Sequence, residues 1–321
     1  MGATSGLTPA SFTADSIAAM HARLRADMVL RAELSRRGRS ALDGIVHALK
    51  PEGMDAEYPA RRLLAYDLRA AAGPTAVIAV GDPATATHVT WVVSGMGIRA
   101  HTAMWGSTRE AAQLWAAQRE AGAPRPCVIA WLGYAAPKFW RVLFDGPARA
   151  GAAALVADLR AWEQFARVHA EDEVPALRAR GTAVHCAVEA HSYGTLVAAH
   201  TLRQLHADEL TTTTPAPASA SGEEALVDVL VVTGAIGLPA SLAADLQVLG
   251  GSAAQVFQAR APGDYLAAVG RVAALRRAWR DTRSLPVAPT KALRGAAVSG
   301  HDTSRWRADA GEDAPRGYRD P

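Results

Sequence analysis

The chain has 321 residues, of which 50% are apolar and 20% charged, with a formal net charge of +3 at pH 7. This length suits a large buried core, and the composition excludes an intrinsically disordered chain. So small a charge excess gives by itself no ground for a nucleic-acid or membrane partner, and no stretch reaches the ~20 apolar residues of a membrane-spanning helix.

Residues 1–15 lack a basic start followed by an apolar run, so no secretory leader is read and a cytoplasmic location is expected. Over 13–50 the pattern is helical: Ile17, Met20, Leu24 and Met28 step at three and four positions, with Thr13 or Asp15 available as cap. A second amphipathic stretch covers 42–49 and stops at Pro51. Residues 1–60 therefore read as an N-terminal helical region whose helices could serve a protein contact. From Leu63 onward the texture changes. Short apolar runs at 75–80, 88–93, 127–131, 183–188, 227–233 and 254–259 alternate with helical patterns at 109–122, 147–168, 192–205 and 264–279. Strands separated by helices imply crossover connections and an α/β fold with a doubly wound, mainly parallel sheet over 61–306. Within it, 210–222 (LTTTTPAPASASG) reads as a flexible insertion, and 307–321 as a polar tail trailing in solvent. Cys127 and Cys186 fall inside buried strands, which favours inert core thiols over a disulfide.

Chemistry concentrates at V-E-A-H-S-Y-G-T-L, 188–196. A serine between a buried strand and a helix sits on a sharp, strained turn that lifts its hydroxyl above the sheet edge. Small residues must flank it, which makes Ala190 and Gly194 as significant as Ser192. A serine hydroxyl needs a base to take its proton, and the base needs a third group to fix its tautomer. Downstream, Asp264 follows the 254–259 strand, and His301 in V-S-G-H-D follows a short apolar piece, 296–298, that could form the last strand. Both would lie at the carboxyl edge of the sheet, where such groups collect. Ser94-Gly95-Met96-Gly97 directly follows the 88–93 strand. Gly95 would allow a tight turn there, and the Met96 N–H could join the Tyr193 N–H in an oxyanion hole.

Plainer readings stand beside these. Asp264 could serve only as a helix cap, Asp245 or Asp302 could orient the base, and Gly95 and Gly97 could form a simple turn. His301 could be a surface histidine. Neither S-G-M-G nor T-G-A-I-G (233–237) completes a nucleotide-binding motif, and no spacing typical of a metal site appears, so no metal and no cofactor are expected. His88 and His185 read as strand residues and His169 as part of an acidic surface loop. The stripe Arg271, Arg276, Arg277, Arg280 and Arg283 reads as a solvated helix face rather than a nucleic-acid patch. Trp131 and Tyr134 end a strand at the same edge, where they could line a substrate pocket or pack in the core.

The run of G-D-P-x-T-A-x-H-V (81–89), V-V-S-G-M-G, A-W-L-G-Y-x-A-P (130–137), A-H-S-Y-G-T, A-P-G-D-Y-L-A (261–267) and S-G-H-D resembles an α/β-hydrolase domain family common in actinobacteria. The resemblance spans about Leu63 to Trp306. It implies about eight strands flanked by helices, an N-terminal helical extension, and Ser192, Asp264 and His301 as nucleophile, acid and base. The order Ser, Asp, His is that of the α/β-hydrolases. Two departures stand out: Ala190 replaces the first glycine of the elbow, and Glu189 replaces a branched apolar residue. A carboxylate at that position must find a partner or reach solvent. The expected activity is cleavage of a small-molecule carboxylic ester or related acyl substrate through an acyl-enzyme. The alternatives are acyl transfer through the same intermediate and a non-catalytic scaffold that binds a partner.

Overall fold

The computed structural model describes residues 6–50, 58–172, 184–212, 226–249, 255–280, 282–287, 298, 300–302 and 318. Its strands are β1 (Arg61–Asp67), β2 (Thr75–Val80), β3 (His88–Val93), β4 (Pro126–Leu132), β5 (His185–His191), β6 (Val229–Thr233), β7 (Gln255–Ala259) and β8 (Arg283–Ser284). They form one sheet in the order β1-β2-β4-β3-β5-β6-β7-β8. β2 is antiparallel to both β1 and β4, and every other pairing is parallel. The helices are α1 (Ala14–Val29), α2 (Arg36–Ala48), α3 (Ala100–Glu120), α4 (Gly146–Asp172), α5 (Gly194–Thr212), α6 (Ala240–Leu249) and α7 (Tyr265–Ala273).

The strands read as continuous apolar runs because helices cover both faces of the sheet. Side chains alternate along β2: Val77 and Ala79 enter one core layer with Leu155, Trp162 and Leu196 from α4 and α5. Ala76, Ile78 and Val80 enter the other with Leu42, Ile45 and Met104 from α2 and α3. β4 divides the same way, with Ile129 and Trp131 against Val128 and Ala130. The N-terminal helices belong to these layers. Leu24 and Leu42 join one, Ile17 joins the other, and fully buried Phe12 meets the Trp162 and Phe165 rings at 5.2 and 5.3 Å.

Several elements depart from the sequence reading. β1 and α6 escape the pattern rules: R-R-L-L-A-Y-D has no β-branched residue, and A-S-L-A-A-D-L-Q-V-L has no clear polar face. α3 begins at Ala100, nine positions before the expected helix, its first turns masked by Gly106, Ser107 and Thr108. His169 lies within α4, not in a loop. The helix expected over 264–279 stops at Ala273, because Leu275 adopts a left-handed conformation with φ 52°. Arg276 consequently turns inward with its side chain only 2% exposed, donating to the Val142 carbonyl at 2.8 Å and lying 3.5 Å from Asp145. The expected solvated arginine face therefore does not exist as one stripe. The strand paired to β7 on its far side is β8, which the sequence reading did not foresee. Of the 296–298 piece only Val298 is described, its N–H donating to the Val287 carbonyl at 2.7 Å. The insertion read as 210–222 begins inside α5, and 213–222 lies outside the described residues.

Candidate active site

β5 ends at His191 and α5 starts at Gly194, so only Ser192 and Tyr193 make the turn. Ser192 has φ 54°, a left-handed conformation a serine rarely adopts. Its neighbours hold it there. The Ser192 N–H donates to the Thr233 carbonyl at 2.9 Å, and the Thr195 hydroxyl donates to the Ser192 carbonyl at 2.6 Å. A Cβ on Gly194 would lie 2.4 Å from the Val93 carbonyl oxygen, and one on Gly95 would lie 2.7 Å from the Ser192 Cβ. The end of β3 and the elbow are thus pressed together through two glycines.

The expected trio converges. His301 Nδ1 lies 2.8 Å from Asp264 Oδ1 and its Nε2 lies 2.7 Å from Ser192 Oγ. An ionised carboxylate only accepts, so Nδ1–H donates to Asp264 and the Ser192 hydroxyl donates to Nε2. Asp264 also caps α7, its Oδ1 accepting the Ala267 N–H at 3.0 Å, so one carboxylate both caps the helix and meets the imidazole. Of the other two carboxylates considered, the Asp245 side chain lies outside the described residues, and the partner found on His301 Nδ1 is Asp264 rather than Asp302. Burial pushes the Asp264 carboxyl up, but the His301 hydrogen bond and charge, the Ala267 N–H and Tyr318 outweigh it, holding the carboxyl below its ordinary value.

Tyr318 was not foreseen. It belongs to the stretch expected to trail in solvent, yet its hydroxyl donates to Asp264 Oδ2 at 2.9 Å and accepts the Ala261 N–H at 2.7 Å. Burial and the adjacent Asp264 charge raise its pKa, which keeps it a proton donor in this bond. Its ring lies 5.4 Å from that of His191, which in turn lies 4.9 Å from the ring of His301. Gly234, at φ 53°, leaves room for both imidazoles: a Cβ there would come within 2.8 Å of His191 and 3.2 Å of His301. The only sequence signal for that glycine was the T-G-A-I-G run, which failed as a nucleotide motif.

Glu189 has its partner. It is buried, and the Thr233 hydroxyl donates to its Oε1 at 3.1 Å. With that proton committed, Thr233 Oγ1 accepts from His191 Nδ1 at 3.1 Å. The departure from an apolar residue at 189 thus anchors a polar chain beneath the site.

The Tyr193 and Met96 N–H groups have no acceptor among the described residues. Tyr193 is fixed by its far end, where its hydroxyl donates to the Phe144 carbonyl at 2.6 Å and accepts the Ala148 N–H at 3.2 Å. Burial pushes that hydroxyl up to about 12. Trp131 and Tyr134 are core side chains with stacked rings 5.7 Å apart. The Trp131 indole donates to Asp158 at 2.7 Å and the Tyr134 hydroxyl to the Ser94 carbonyl at 2.8 Å, so their polar atoms are committed to protein groups. Tyr134 thereby steadies the loop that carries Gly95 and Met96. Cys127 and Cys186 are buried free thiols. No cluster able to hold a metal ion occurs among the described residues.

A family model described as alpha/beta hydrolase matches residues 70–274. No curated protein sequence matches the chain. Among solved structures, one described as FAE aligns at 13% identity over 71% of this chain and 78% of that chain, with a TM-score of 0.38. A hyperthermophilic esterase from the archaeon Pyrobaculum calidifontis aligns at 13% identity over 83% and 86%, with a TM-score of 0.37. The monoclinic form of an esterase from that organism aligns at 12% identity over 80% and 82%, with a TM-score of 0.35.

Proposed function

Because the chain belongs to the α/β-hydrolase family, we propose that it cleaves a small-molecule carboxylic ester or related acyl substrate, with Ser192, His301 and Asp264 as the catalytic triad. The observation that supports this reading is the imidazole bridge, 2.7 Å to the serine oxygen and 2.8 Å to the carboxylate. Such distances let one ring take and return a proton without moving.

In this mechanism Ser192 Oγ attacks the carbonyl carbon while its proton passes to His301 Nε2. Asp264 stabilises the resulting imidazolium and holds its tautomer. The negative oxygen of the tetrahedral intermediate is received by the Tyr193 and Met96 N–H groups beside Gly95, each such donor contributing about 3 kcal/mol to transition-state stabilisation. The intermediate collapses, the carbon–oxygen bond breaks, and His301 returns its proton to the departing alkoxide. Water, deprotonated by the same imidazole, then attacks the acyl-serine; the bond from the acyl carbon to Ser192 Oγ breaks, the imidazolium returns its proton to Oγ, and the acid is freed.

The Ser192→Ala variant tests this. Turnover of a nitrophenyl ester should fall at least about 10³-fold, and covalent labelling by a fluorophosphonate should vanish, with the melting temperature close to wild type. A wild-type chain that neither labels nor hydrolyses any ester across rising acyl lengths would instead mark a non-catalytic scaffold.

A further inference from the structure

α7 turns an apolar side to solvent. Leu266, Val269 and Val272 are 59%, 61% and 72% exposed, and Leu275 just beyond is 89% exposed. The 3-10 helix Phe139–Leu143 contacts α7, and Trp140 within it and Phe144 just after it are also exposed. Arg276 ties the two elements together by donating to the Val142 carbonyl at 2.8 Å. Monomeric soluble domains rarely leave so many large apolar side chains together in water.

The patch borders the site. Asp264 caps α7, the Phe144 carbonyl accepts the Tyr193 hydroxyl, and the Gly97 N–H donates to the Pro137 carbonyl at 2.9 Å, immediately before the 3-10 helix. Its charge among the described residues is mainly positive, with Asp281 next to Arg280 in the sequence. Lys138, Arg141, Arg277 and Arg280 are exposed in the two segments that carry it. The only carboxylates within 138–145 and 260–280 are Asp145, facing Arg276 and His200, and Asp264, held by His301. An apolar stripe flanked by cations matches an anionic lipid surface, which offers a phosphate layer above an apolar interior. A second copy of the chain fits worse, because face-to-face pairing would set the same cations against each other.

We propose that α7 and the 3-10 helix beside it dock the protein on an anionic lipid surface, with the Ser192 site facing that surface. This goes beyond the catalytic reading and does not depend on it.

The full chain is sedimented with vesicles of phosphatidylcholine alone and of phosphatidylcholine mixed with phosphatidylglycerol. Wild type should pellet with the mixed vesicles and be released by high salt. Val269→Asp/Val272→Asp should lower the bound fraction at least about tenfold, and Arg277→Ser/Arg280→Ser about tenfold. Both pairs are surface changes, so hydrolysis of a short soluble ester should stay at the wild-type level. Ser192→Ala should pellet like wild type, which separates failure of docking from failure of the chemistry. Wild type remaining in the supernatant with both vesicles overturns the proposal, as does equal pelleting on both lipid compositions or undiminished pelleting of the valine pair. Light scattering that shows a dimer abolished by the valine pair overturns it too, assigning the face to a second copy.

Discussion

At the scale of single residues, the second oxygen of Asp264 separates a minimal form of the proposed triad from a positioned one. Tyr318 fills it, and under the proposed mechanism it is a positioning residue that would act on the chemistry through the carboxylate. Tyr318→Phe removes one donor to a charged acceptor, so kcat should fall about tenfold with KM nearly unchanged. The pH dependence has a definite sign. Asp264 is held below its ordinary 3.8, so in the window just under that value the unfolded chain binds a proton the folded chain refuses. Its contribution to stability is therefore present above 3.8 and lost as pH falls through the folded-state value. The variant has a smaller depression to lose. Its melting-temperature gap from wild type should be open at neutral pH and close in acid, whereas a gap constant with pH would reduce Tyr318 to packing. Ser192, Asp264 and His301 were legible because each follows a strand pattern at a recognisable interval. No rule of spacing ties a tyrosine in a polar stretch to a carboxylate 54 positions away, and His191 was readable only as filler inside the elbow motif.

At the scale of elements, the N-terminal helices complete the layers that support the sheet. α1 straddles the β1 edge, sending Ile17 to one layer and Leu24 to the other, and Phe12 reaches across to α4. Phe12→Ala should cost about 3–5 kcal/mol in urea unfolding, through lost burial and the cavity left between Trp162 and Phe165. A loss below ~1 kcal/mol would mean that 6–50 folds apart from the sheet. The central parallel strands were legible because burial on both faces leaves them few polar positions. β1, the short β8 and α6 were not, since their residues carry neither a period of two nor a clean helical stripe. The end of α7 was hidden for another reason. Nothing in V-A-A-L-R-R-A-W announces that a leucine will take a left-handed turn and send Arg276 into the interior.

At the scale of the molecule, the strand order sets β3, β5, β6 and β7 side by side in parallel. Their carboxyl ends therefore share one rim, where Gly95, Ser192, Gly234 and Asp264 come together from distant parts of the chain. A net charge of +3 conceals how unevenly that rim is surrounded, which is why bulk composition was silent about the face beside it. Leu275 concentrates the tension in this arrangement: a branched side chain in a left-handed turn, almost wholly in water. Leu275→Gly should relieve that turn and raise unfolding free energy by about 0.5–1 kcal/mol, while loosening the grip on vesicles measured by sedimentation. Heat tolerance and adhesion would then trade against each other at one position. Any selection that rewarded thermal endurance alone would be expected to drift toward a sturdier molecule that no longer sticks.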